Sequence, residues 1–102
     1  MKQTTSERDG EGLEAARRAL CDALLAMRTR DECMALLQDL CTPAELEALV
    51  DRWRVVPLLA AGRTYRSIHE ETGVSVTTIG RIARFLEHGN GGYRTALERM
   101  EK

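Results

Sequence analysis

Apolar residues in this chain recur every three or four positions and nowhere alternate with a period of two, so the pattern predicts helices and no strand. Residues 1–12 are polar, contain two glycines and read as a flexible lead-in to a single helical domain over 13–102. A first helix is expected from about Leu13 to Arg28, on a stripe of Leu13, Ala16, Leu20, Leu24 and Met27 that Ala23 and Leu25 widen. Thr29 and Glu32 stand at capping-box spacing and open a second helix that carries Cys33, Met34, Leu36, Leu37 and Leu40 and ends near Cys41. Thr42-Pro43-Ala44-Glu45 joins a capping box to a proline at the first helical position, where its missing N–H costs nothing. The third helix therefore starts at Pro43, turns Leu46, Leu49, Val50, Trp53 and Val56 inward, and runs toward Ala61 with Gly62 as its stop. Pro57 cannot donate to the carbonyl of Trp53, which predicts a kink or an early end around residues 53–57.

Two shorter helices follow, Tyr65 to Thr72 behind a Thr64 cap and Val76 to His88 behind a Ser75 cap, stopped by Gly73 and Gly89. After the Gly89-Asn90-Gly91-Gly92 breaker, Ala96, Leu97 and Met100 mark a last helix over Tyr93 to Glu101. The apolar stripes on the first three helices are wider than one packed neighbour needs, and the surplus points to a partner surface.

The segment 65–88 changes this from a list of helices into a motif. A short helix, a turn at Gly73 and a second helix make a helix-turn-helix in which Ile68, Val74, Ile79 and Ile82 fill the inner angle. Fixing those four inward leaves Val76, Thr77, Gly80 and Arg81 on the outer face of the second helix, where a recognition helix meets base edges, Arg81 and Thr77 foremost. Arg63, Thr64, Arg66, Ser75, Thr78 and Arg84 flank that face and are candidates for phosphate contacts. His69 occupies a position that in most such motifs carries alanine, so its ring has to tilt outward or be accommodated against the second helix; no Cys, Asp or second His stands at ligand spacing from it.

Charge supports an anionic partner for the second half. Over 102 residues the net charge is −1, but residues 1–51 hold six Lys+Arg against eleven Asp+Glu, whereas residues 52–102 hold nine against five. The six basic residues from Arg52 to Arg84 are all arginines, opposed by Glu70 and Glu71. With 43% hydrophobic and 30% charged residues, the composition fits a folded domain of the cytoplasm. The longest mostly apolar stretch, Val55 to Ala61, is far short of the roughly 20 residues of a bilayer span, and the N-terminus lacks a secretory apolar core. Cys21, Cys33 and Cys41 form an odd set without C-x-x-C spacing, which argues against disulfides and zinc and for buried reduced thiols.

The runs Thr42 to Leu49, Asp51 to Val56 and Gly73 to Arg81 resemble the tryptophan repressor family, and Leu86-Glu-His-Gly-Asn-Gly-Gly-Tyr93 resembles its TrpR-related YerC/YecD-type bacterial branch. The likeness spans about residues 13–101. It implies an all-α, six-helix fold, an intertwined homodimer, and sequence-specific binding of double-stranded DNA by a transcriptional regulator of the repressor type. In that family the indole of a tryptophan corepressor lies between two arginines, matched here by Arg52 and Arg81, with Thr42 at the position of a backbone contact. The family's pocket also has a glycine and a serine on the recognition helix, where this chain has Ile82 and Phe85. A bulky apolar pair occupies volume an indole would need and offers no hydroxyl to an ammonium group, so no cofactor and no tryptophan corepressor is expected.

An enzyme is disfavoured, because no pair among the two histidines and three cysteines stands at a nucleophile–base spacing. The stronger alternative is a helical protein-interaction module that never touches DNA, for which an acidic first half and a sequence pI near 6.1 are unremarkable.

Overall fold

A computed structural model describes residues 10–101 of the chain, and these form six helices. They are α1 (Gly10–Ala26), α2 (Arg30–Leu40), α3 (Pro43–Ala60), α4 (Tyr65–Thr72), α5 (Val76–His88) and α6 (Gly92–Met100). Helix α1 starts three residues ahead of its apolar stripe, with Glu11 in the first turn beside the positive end of the helix dipole. The rest of the expected lead-in, residues 1–9, lies outside the described residues. No helix is long and apolar enough to cross a membrane among the described residues.

The chain divides after Thr42 into two compact units. In the first, neither α1 nor α2 buries a residue; Leu20, Leu24, Met34 and Leu40 are exposed, and Leu25 is 81% exposed. The thiols share this condition: Cys21 and Cys33 are exposed and Cys41 is half-buried, which corrects the expectation of buried cysteines. Among the described residues the apolar stripes of α1 and α2 are left largely exposed. The junction between the two helices is built locally. The Glu32 N–H donates to Thr29 Oγ1 at 3.0 Å, while the Glu32 carboxylate accepts from the Arg28 N–H at 2.8 Å, one residue beyond the position a capping box assigns it.

The second unit holds the core. Val55, Val56, Ile68, Val74, Ile79 and Ile82 are buried, with Trp53, Leu58, Leu59, Leu86, Tyr93 and Leu97 packed against them. Helix α3 meets both α4 and α5, and α4 meets α5. That two-sided cover explains why Val55 and Val56 are both buried although adjacent helical residues point about 100° apart. It also corrects the expected inner face of α3: Leu49 and Val50 are exposed, because burial is confined to the C-terminal half where α4 and α5 pack. Pro57 does not end the helix, which continues to Ala60. Proline removes one backbone donor, and the exposed ring leaves the buried pair before it undisturbed. Helix α6 packs on α5, and its Tyr93 ring lies 6.3 Å from that of Trp53 on α3, tilted by 48°.

Candidate nucleic-acid interface

Every bend of the 65–88 segment is held by side chains the local sequence supplies. Thr64 caps α4 by accepting from the Ser67 N–H at 3.1 Å. Gly73 closes α4 in the left-handed region at φ 80°, a conformation that favours glycine, and donates its N–H to the His69 carbonyl at 2.8 Å. Thr72 then spans the turn: its hydroxyl donates to the Ile68 carbonyl at 2.7 Å and accepts from the Val74 N–H at 3.1 Å. His69 tilts out of the helix pair, and its Nδ1–H donates to the Val74 carbonyl at 2.8 Å. Ser75 caps α5, accepting from the Thr78 N–H at 3.1 Å. Ile68, Val74, Ile79 and Ile82, the four residues expected in the inner angle, are all buried.

With those four inward, the outer face of α5 follows from the 3.6-residue period. Val76 is 51% exposed, Thr77, Arg81 and Arg84 are exposed, and Gly80 is half-buried. They line an open groove of about 530 Å³ together with Tyr65 from α4. The capping bonds also set the polarity of the hydroxyls. Ser75 spends its proton on Thr78 Oγ1 at 3.0 Å, so of this pair it is Thr78 that keeps a proton to donate. Thr64 accepts a backbone N–H and likewise keeps a proton to donate.

The flanking arginines differ. The Arg63 guanidinium is engaged within the chain, at 2.9 and 2.6 Å to Ser67 Oγ and 2.7 Å to the Glu71 carboxylate, tying the α3–α4 loop to α4. Arg66 makes a looser pair with Glu70 at 3.7 Å on a fully solvated surface, worth little in high dielectric. Among the described residues no group of three or more His, Cys, Asp or Glu is placed to hold a metal ion.

Of the five residues matched to a corepressor pocket, Arg52, Arg81, Ile82 and Phe85 line one cavity of about 270 Å³ with Thr78 and Tyr93; Thr42 belongs to the other unit. Ile82 is drawn into the core and Phe85 stays 50% exposed at the rim, so the pair narrows the space rather than filling it. What remains is smaller than the roughly 300–1,000 Å³ of ordinary ligand pockets. Arg81 borders both this cavity and the groove. Tyr65, Ala83 and Glu87 in the groove and Tyr93 in the cavity are the lining residues that periodicity and spacing did not single out.

The fold and this face define a helix-turn-helix protein. The Trp repressor protein family model matches residues 16–101, and the chain belongs to that family. It is 39% identical over 83 residues to the uncharacterized protein YerC of Bacillus subtilis, covering 81% of this chain and 80% of that one. A TrpR-like protein from Eubacterium eligens superposes with a TM-score of 0.81 at 38% identity, over 85% of this chain and 90% of its own. A candidate Trp repressor from Staphylococcus aureus gives 0.81 at 36% identity, over 98% and 96%.

Proposed function

We propose that the protein is a sequence-specific, DNA-binding transcriptional repressor that acts as a homodimer and requires no tryptophan. The observation that carries this reading is the outer face of α5: exposed Val76, Thr77, Arg81 and Arg84 on a helix whose opposite side, Ile79 and Ile82, is locked in the core. Val76, Thr77, Gly80 and Arg81 face base edges, with Arg81 suited to a guanine. Thr64, Arg66, Thr78 and Arg84 flank them as backbone contacts, while Ser75, its proton held by Thr78, and Arg63, held by Ser67 and Glu71, keep the start of α5 and the loop in register. The uncovered leucines of α1 and α2 supply the surface for a second copy. Two-fold pairing spaces the recognition helices about 34 Å apart and calls for an imperfect palindrome.

Light scattering on a sizing column is expected to give twice the 11.4 kDa chain mass; the single mass would overturn the dimer. Selection of bound fragments from genomic DNA is expected to yield duplexes whose affinity falls steeply with salt, by about 0.9 in log K per log salt for each phosphate neutralised. Millimolar tryptophan is expected to change neither the retention nor the heat of titration. Saturable binding of one tryptophan per subunit would refute that part, and no DNA retained even at low salt would leave a protein-interaction module instead.

A further inference from the structure

We propose that Tyr65 is a DNA-backbone contact, a neutral phosphate anchor seated on the recognition helix by its own ring. The inference rests on the DNA-binding reading above and adds to it a residue outside the basic and hydroxyl set. Tyr65 opens α4, yet its side chain crosses to α5: its Cε2 lies 3.7 Å from the point where a Cβ on Gly80 would stand. Cε2 is bonded to the hydroxyl-bearing carbon, so the polar end of the ring rests against α5. The ring covers Gly80, which is half-buried, at a distance that would be ordinary van der Waals contact even for a Cβ. The ring remains 42% exposed and forms a wall of the groove that also holds Val76, Thr77, Arg81 and Arg84. Among the described residues its hydroxyl has no hydrogen-bond partner.

A phenol held in this way presents a proton at the edge of a face whose arginines attract an anion. Glu87, the carboxylate on the same groove, sits toward the C-terminal end of α5 beside His88 at 3.8 Å. A phosphate oxygen is the acceptor that such a donor meets whatever the base sequence. Because the phenol is uncharged, its contact releases no counterion, which separates it from an arginine contact.

The test is an anisotropy titration of labelled duplexes selected by the wild-type protein, at several salt concentrations, with Tyr65→Phe and Arg66→Ala. Tyr65→Phe keeps the ring on Gly80 and removes the proton. It is expected to bind every duplex at least roughly ten-fold more weakly, since each subunit loses one hydrogen bond to an anionic acceptor, with the salt slope and thermal midpoint of the wild type. Arg66→Ala, by contrast, is expected to flatten the slope by about two units, roughly one for each subunit of the dimer. Equal affinity for Tyr65→Phe overturns the proposal. So does a loss confined to one base pair, which would make Tyr65 a base reader, or a lowered thermal midpoint, which would make the hydroxyl structural. A wild-type protein that selects no DNA overturns the regulator reading itself, and this inference with it.

Discussion

Replacing Ile79 by alanine is expected to destabilise the protein by about 2–5 kcal/mol, the cost of emptying a fully buried branched side chain in a site that cannot collapse. The core it belongs to has six buried residues, contributed by α3, α4, the turn and α5, so few neighbours can move in. Against a total stability of about 5–15 kcal/mol for a folded domain, that is a large share. At about 4–8 °C per kcal/mol, the melting temperature is expected to fall by at least about 8 °C. Val76→Ala, three residues earlier on the same helix and half exposed, is expected to stay within about 0.5 kcal/mol of wild type. Circular dichroism melts of the two variants distinguish them, and equal midpoints would mean that the inner angle is not what holds the motif.

The second large effect is at Arg81. Arg81→Ala is expected to cost about 1–3 kcal/mol of binding per half-site and to relax the preference at one base pair in each. That corresponds to roughly 5- to 150-fold in affinity for each half-site. A panel of duplexes with single base changes reads both quantities. Unchanged affinity and preference would remove Arg81 from the recognition face. Arg66→Ala provides the contrast, weakening all duplexes in the panel alike.

What the sequence made legible was what depends on short spacings. The caps at Thr29, Thr64 and Ser75, the turn at Gly73 and the four inward residues of the helix-turn-helix each rest on contacts within a few positions. Val55 was missed because its burial needs a second helix on the other side of α3, which a one-faced stripe does not register. The cysteines were misplaced for the related reason that a stripe shows which face is apolar and not whether the same chain covers it. Arg63 reads as a free cation in sequence, yet Ser67 four residues on was a visible partner, while Glu71 at eight residues was not. Tyr65 escaped because its contact with Gly80 crosses the turn.

The expected contacts with DNA all fall between Arg63 and Arg84, whereas the uncovered leucines of α1 and α2 fall between Leu13 and Leu40. Under the dimeric reading this separation has a genetic consequence. A subunit altered at Arg81 keeps its pairing surface, so it joins wild-type subunits and carries one silent recognition helix into each mixed dimer. In a cell with both alleles expressed equally, random pairing leaves a quarter of the dimers with two working helices, and the defect is dominant. A subunit altered along the leucines of α1 withdraws from assembly and leaves its wild-type counterpart free to pair, so that defect is recessive.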